Sequence, residues 1–128
     1  MDFYKILAKL KRPASNILSD KERGLQFTTK VKEKLADVDA PKIKALRTDI
    51  ADGIALLKAY LTGEYRNIPW QTLITLTGAL IYFFNPMDII PDFVPLTGFV
   101  DDAAVLAFVL KSIQSDLGSF KKWRQEKQ

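Results

Sequence analysis

The stretch that decides the fold is NPMDIIPDFVPLTGFVDD, residues 85–102. It places four aspartates, three prolines and one glycine among large apolar residues, and it contains no Lys or Arg. Proline fixes φ and lacks an N–H donor, so these prolines discourage a long regular helix, whereas glycine permits a turn with positive φ. We therefore predict a rigid elbow, and the residues that shape it are Pro86, Pro91, Pro95 and Gly98.

Apolar segments flank the elbow on both sides. Residues 67–87 contain no charged residue, and the prolines near both ends limit the helical part to about 15–17 residues, at or just below the length that crosses a bilayer. A second helix is predicted over residues 101–117, and its first half is apolar on nearly every side. We expect a buried helical hairpin bent at the elbow. Membrane insertion of the residue 67–84 helix is the alternative.

The remaining segments have apolar residues at helical spacing with lysines between them, which is typical of basic amphipathic helices. These helices are predicted near residues 3–12, 25–38 and 41–61. Residues 15–20 are expected to form a connector after Pro13, because proline interrupts a helix.

Individual residues predict where the other helices begin and end. Asp39 is the expected N-cap and Pro41 the expected first-turn residue of the helix over residues 41–61, and Gly63 lies where a C-cap is expected. Gly118 is expected to break the last helix, leaving a basic tail that contains Lys121–Arg124.

No strand-like alternation and no internal repeat is present, so we predict an all-α protein of about five helices. Residues 1–66 are expected to be a basic amphipathic region that packs on the core. Residues 67–110 form the predicted hairpin, and residues 111–128 form the end of the last helix and the basic tail. A chain of 128 residues can bury a core as one compact domain.

Charge is distributed unevenly along the chain. Residues 1–66 carry 14 Lys and Arg against 9 acids, and residues 111–128 carry 5 against 2, whereas residues 67–110 carry four Asp and no Lys or Arg. Basic flanks of this kind contact nucleic acid, anionic lipid, or solvent and the central acids, and the last is the favoured interpretation because charge runs are usually solvated faces. The lysines are spread over several helices without a recognition motif, so nucleic acid is disfavoured. An anionic membrane surface or a membrane protein is the favoured partner.

The composition excludes several classes of chemistry. With no Cys and no His, the chain cannot form disulfides, zinc–thiolate sites or a Ser-His-Asp triad. A bound metal would be a hard cation held by oxygen, such as Mg²⁺, Mn²⁺ or Ca²⁺. Residues 1–12 lack the uncharged core of a signal peptide, so we expect a cytoplasmic protein or one at the inner face of a membrane. An integral membrane protein is the alternative.

The candidate ligands for such a cation are the four elbow carboxylates, Asp88, Asp92, Asp101 and Asp102. One of the last two can cap the following helix, which leaves the others unexplained. They can pair with Lys or Arg from other helices, take up a proton, or bind a divalent cation. Their spacing does not match an EF-hand. A paired network is the favoured interpretation, a metal site comes second, and paired-carboxylate hydrolysis comes last.

The elbow closely resembles the signature of the YkvA-like family, a domain of unknown function (DUF1232), which runs roughly Pro-x-Asp-Leu-Ile-Pro-Asp-x-x-Pro-x-x-Gly-x-x-Asp-Asp. The similarity covers about residues 67–110, and Ile89 stands where leucine is usual. It implies a small helical domain whose apolar pair is often predicted to associate with membranes, and it implies no established reaction, cofactor or substrate. The matching positions are Pro86, Asp88, Ile90, Pro91, Asp92, Pro95, Gly98, Asp101 and Asp102.

The sequence therefore predicts a non-enzymatic, membrane-proximal interaction or accessory module without catalytic residues. An apolar hairpin with two basic termini supports this interpretation, since two weak anchors together bind lipid where one does not. The alternative is a divalent-cation-binding domain or a metal-dependent enzyme that uses the elbow aspartates.

Overall fold

The computed structural model describes residues 3–84 and 103–127. Within these ranges every element is a helix, which confirms the predicted all-α class. The elbow lies outside the described residues, so the roles of Pro86, Pro91, Pro95 and Gly98 stay predictions. The described helices are α1 (Phe3–Leu18), α2 (Lys21–Asp37), α3 (Pro41–Ala45), α4 (Arg47–Thr62), α5 (Trp70–Phe84), α6 (Ala103–Ser112) and α7 (Gln114–Lys127).

Helix α5 lies at the centre of the core. Eleven of its 15 residues are buried, and Tyr82 and Phe83 have no exposed surface. It contacts α1, α2, α4 and α6, and α6 packs beside it as the second helix of the predicted hairpin. In this structure the apolar helix is therefore buried against protein.

The other helices pack around α5, and one glycine determines how closely three of them approach. A Cβ added at Gly24 of α2 would lie 2.7 Å from Leu61 Cδ1 of α4 and 2.9 Å from the Ile17 carbonyl oxygen of α1. A side chain at this position would overlap both neighbours. Glycine at residue 24 thus allows α1, α2 and α4 to pack tightly at one point.

Pro13 does not end α1, and the prediction that it does is wrong. The helix continues to Leu18, because Ala14, Ile17 and Leu18 are buried in the core. Their burial offsets the lost hydrogen bond and the steric cost of a proline inside a helix, about 3 kcal/mol. The predicted connector is correspondingly short, and α2 begins directly after Asp20.

The helix predicted over residues 41–61 is divided at Leu46, whose φ of −100° and ψ of 3° interrupt the helical geometry. Pro41 lies in the first turn of α3, as predicted. Gly63 ends α4 in the left-handed conformation with φ of 83°, which also agrees with the prediction.

Asp39 is not the N-cap of α3, contrary to the prediction. The cap position is Ala40, which makes no side-chain capping hydrogen bond. The Asp39 side chain is fully exposed, and its Oδ1 lies 3.6 Å from Lys44 Nζ. The helix begins one residue later than expected, so the carboxylate lies beside a lysine instead of the free N–H groups.

The last predicted helix bends at Ile113 and does not break at Gly118. Helices α6 and α7 are inclined to each other by 71°. Ile113, Leu117 and Phe120 are all buried, so the bend keeps the apolar faces of both helices on the core. A Cβ added at Gly118 would meet no atom within 4 Å, and this glycine lies inside α7 without a visible packing role.

Among the described helices, no single one is both long and apolar enough to cross a membrane. Helix α5 is a shorter apolar helix, and α6 with α7 meets the length and composition of a span only as the bent pair.

Candidate functional site

The predicted metal ligands Asp88, Asp92, Asp101 and Asp102 lie outside the described residues, so their role stays a prediction. In residues 3–84 and 103–127, no group of three or more acidic side chains is placed to hold a metal ion. On either side of the elbow in the sequence, the structure describes the C-terminal end of α5 and the whole of α6.

Lys34 of α2 holds the end of α5, directly before the elbow begins in the sequence. Its Nζ donates hydrogen bonds to the carbonyl oxygens of Phe83, at 2.7 Å, and Phe84, at 2.8 Å. The same Nζ lies 5.1 Å from the centroid of the Phe83 ring. The last carbonyls of a helix have no partner within the helix, and a cation there also complements the helix dipole. A cation from the basic N-terminal region therefore caps the C-terminal end of α5.

The outer face of α1 is cationic and contains no acid. No Asp or Glu occurs between Phe3 and Leu18. The opposite face packs inward through Leu10, Ala14 and Ile17. Tyr4 adds an aromatic ring to the outer part of the helix, with 76% of its surface exposed. The exposed cations of this face, called the α1 basic face below, are Lys5, Lys9, Lys11 and Arg12.

A groove of about 400 Å³ lies beside the α1 basic face, between α1, α5 and α6. Its apolar walls are Leu7, Ile74, Phe108 and Ile113, and the ring of Tyr4 meets Phe108 edge to face at a centroid distance of 5.5 Å. The other residues that line it are Ala8, Lys11, Gln71, Thr72, Thr75 and Ser112. This groove is called the α1–α5–α6 groove below.

The basic C-terminal residues contact acids of the same chain. Arg124 Nη2 lies 2.9 Å from Asp52 Oδ1, and Lys121 Nζ lies 3.6 Å from Asp52 Oδ2. Lys127 Nζ lies 2.6 Å from Glu64 Oε2. The predicted basic tail is thus a helix docked on α4, and much of its positive charge is balanced within the protein.

An aromatic cluster supports this docking. The Tyr65 ring lies 5.3 Å from Phe120 and 5.0 Å from Trp123, measured between centroids. Burial raises the pKa of the Tyr65 phenol, and the negative charge of Asp116 adds to the shift. Asp116 in turn accepts a hydrogen bond of 2.6 Å from the Thr72 hydroxyl of α5.

In its described residues the structure is all-helical, with one buried apolar helix, α5, a partly buried helix, α6, packed beside it, and a cationic surface helix, α1. Residues 72–108 match the model of a family described as "Protein of unknown function (DUF1232)". Over 69 residues the chain is 41% identical to the "Uncharacterized membrane protein YkvA" of Bacillus subtilis (strain 168). Both matches support the assignment of this part of the chain to the YkvA-like, DUF1232 family.

The match with the Bacillus subtilis protein covers 54% of this chain and 65% of that protein, slightly less than two thirds of its length. No solved structure matches the chain at a significant level. The relatives therefore support the family and a membrane setting for one member, and they supply no reaction.

Proposed function

We propose that this protein is a non-enzymatic, membrane-proximal interaction module that binds an anionic membrane surface through α1. The observation that carries the proposal is the α1 basic face, with four exposed cations, no acid in the helix and an exposed tyrosine. The exposed cations attract anionic headgroups, and the exposed Tyr4 ring suits the interface between headgroups and acyl chains. The name of the Bacillus subtilis relative, a membrane protein, agrees with this setting.

The ion pairs of α7 support α1, and not α7, as the proposed membrane contact. Arg124, Lys121 and Lys127 contact Asp52 and Glu64, so their charges are partly neutralised before any lipid is present. Lys11 and Arg12 of α1 make no ion pair with another described residue, and α1 itself contains no acid. Each Lys or Arg near an anionic bilayer contributes about 1 kcal/mol of attraction. The inner leaflet carries such a negative surface, and we place the protein there.

Flotation with lipid vesicles tests the proposal. Purified protein is mixed with vesicles that contain phosphatidylglycerol and with vesicles of phosphatidylcholine alone. We expect the protein to float with the anionic vesicles and to be released by salt, because salt screens the attraction.

A pair of charge-reversal variants shows whether α1 is responsible. The double variant Lys11→Glu, Arg12→Glu should weaken binding by about 2 kcal/mol or more, roughly thirtyfold. The matched control is Lys30→Glu, Lys32→Glu, which makes the same charge change at exposed positions of α2. Equal loss in both double variants, or wild-type protein that stays soluble with both kinds of vesicle, would rule out the proposal.

A further inference from the structure

The α1–α5–α6 groove is apolar at its base. Ile74 and Ile113 are 7% and 3% exposed, so the base belongs to the protein core, and the half-buried Leu7 and Phe108 form the sides. Its volume of about 400 Å³ is within the usual size range of small-molecule sites. The groove is therefore large enough for a chain of several methylene groups.

The hydroxyl groups along the groove already donate within the protein. Thr75 donates to the Gln71 carbonyl oxygen at 2.8 Å, Thr72 donates to Asp116, and Ser112 donates to the Val109 carbonyl oxygen at 2.7 Å. A peptide segment would bring carbonyl and N–H groups that need partners on being buried. These three hydroxyls have no further proton to donate to such carbonyls, which leaves the exposed Tyr4 hydroxyl and Gln71 amide as the other uncharged side-chain donors of the groove. With few donors along its length, the groove favours an apolar chain over a peptide.

Lys11 supplies the ionic group. It alone is charged among the described residues that line the groove, and its side chain is exposed. It belongs to α1, which contains no acid. The groove therefore offers an apolar channel with one cation at its edge, and the complementary ligand is a single apolar chain that carries one negative charge.

We infer that the α1–α5–α6 groove binds one acyl chain of an anionic lipid, with the lipid phosphate paired to Lys11. The inference deepens the proposed function and rests on it, because the membrane that α1 contacts supplies the lipid. The chain lies against Leu7, Ile74, Phe108 and Ile113, and the apolar area that it buries adds to the attraction at the headgroup. The protein thereby binds one anionic lipid molecule in a defined site, in addition to its attraction to the charged membrane surface.

A monomeric single-chain lipid separates this site from general adsorption to a bilayer. Lauroyl-lysophosphatidylglycerol is titrated into the 128-residue protein by isothermal calorimetry, below the concentration at which the lipid forms micelles. Lauroyl-lysophosphatidylcholine tests the requirement for negative charge, and glycerol phosphate tests the requirement for a chain. We expect saturable one-to-one binding of the first compound, with clearly weaker binding of the other two.

Two groove-filling variants locate the site. Ala8→Phe narrows the groove from α1, and Ser112→Phe narrows it independently from α6; both residues are exposed, so both variants are expected to fold. Ala36→Phe, at an exposed alanine of α2 that does not line the groove, is the matched control. Each groove variant should weaken the lysolipid by at least about tenfold while the control leaves it unchanged.

The outcomes distinguish this inference from the function on which it rests. Absence of saturable binding, or equal affinity in all three variants, overturns the groove site. If anionic vesicles still bind through α1 in that case, the proposed function stands and the acyl-chain site alone is lost. A dimer in sedimentation that both groove variants abolish would assign the groove to a second copy and also overturn the lipid site. Failure of both vesicle and lysolipid binding overturns both.

Discussion

Arg124 of α7 and Asp52 of α4 form an ion pair of 2.9 Å, and the two residues lie 72 positions apart in the sequence. The two side chains differ in exposure, with 12% of the Asp52 side chain and 37% of the Arg124 side chain accessible. Lys121 approaches the other carboxylate oxygen at 3.6 Å. A largely buried carboxylate thus lies between two cations at the edge of the core, and the last helix is docked around it.

This difference in exposure predicts which of two substitutions, one at Arg124 or one at Asp52, lowers the free energy of unfolding more. Arg124→Met leaves the buried Asp52 charge with one longer contact, so we expect the free energy of unfolding to fall by about 1–3 kcal/mol. Asp52→Asn leaves two cations that water can reach, and the loss should be smaller. Urea unfolding of both variants measures the difference. Lys122→Met, at an exposed residue of the same helix, is the control. A larger loss in Asp52→Asn would contradict this account.

The pair of Glu64 and Lys127 predicts a pH effect. The hydrogen bond from Lys127, followed by its positive charge, holds the pKa of Glu64 below its ordinary value. Because the folded pKa is below the unfolded pKa, the contribution to stability is present above the unfolded pKa and is lost as pH falls through the folded pKa. The contribution is small, since both side chains are about half exposed.

An NMR titration of the Glu64 carboxyl group measures this effect directly. In Lys127→Ala we expect the pKa of Glu64 to rise toward its ordinary value, and in Lys122→Ala we expect no change. A carboxyl group that titrates identically in wild type and Lys127→Ala would show that the pair does not persist in solution.

Lys34 predicts a local effect at the end of α5. Replacing it with methionine keeps much of the apolar stem and removes both hydrogen bonds to the carbonyl oxygens of Phe83 and Phe84. We expect the free energy of unfolding to fall by about 1–2 kcal/mol, the usual scale for a charged hydrogen bond at a partly buried helix end. Hydrogen exchange at the last turn of α5 should also accelerate. Lys30→Met, at an exposed position one turn earlier in α2, is the comparison. If Lys34→Met and Lys30→Met change the stability and the hydrogen exchange equally, Lys34 does not cap α5.

The apolar helix was the most predictable element. Residues 70–84 lie between Pro69 and Asn85-Pro86 without a charge, and the structure places α5 at Trp70–Phe84. The bends at Leu46 and Ile113 were not predictable, because neither residue is Gly or Pro and the apolar spacing continues through both. They arise because the two halves of each run pack on different parts of the core. At Pro13 the sequence predicts a helix end that does not occur, because burial of the residues that follow offsets the free-energy cost of a proline inside the helix.

The candidate surfaces were predictable only in part. The cationic character of α1 follows directly from the sequence, because its lysines recur between apolar residues. Which acid meets which base does not follow, since Asp52 and Arg124 are brought together only by the docking of α7 on α4. The groove likewise combines residues of three helices, and no local pattern indicates its shape. The four elbow aspartates were identified from sequence, and their role remains a prediction.

Thr77 provides the last prediction, in which a substitution should increase stability. A threonine hydroxyl inside a helix can donate to the carbonyl oxygen four residues earlier, as Thr75 does with Gln71. Thr77 is fully buried, and its Oγ1 has no hydrogen-bond partner among the described residues. A buried hydroxyl without a partner costs about 1–3 kcal/mol. Thr77→Val keeps the branched shape and removes the hydroxyl, so it should raise the free energy of unfolding by roughly 1 kcal/mol.

The matched control for Thr77→Val is Thr75→Val, which removes a hydroxyl that already has a partner and should bring no gain. Urea denaturation with a common slope for the wild type and both variants decides between them, because equal slopes mean that only stability has changed. A loss of stability in Thr77→Val would show that the hydroxyl does find a partner in solution. That partner would then have to be a water molecule or a group outside the described residues, and the middle of α5 would be more polar than its described neighbours indicate.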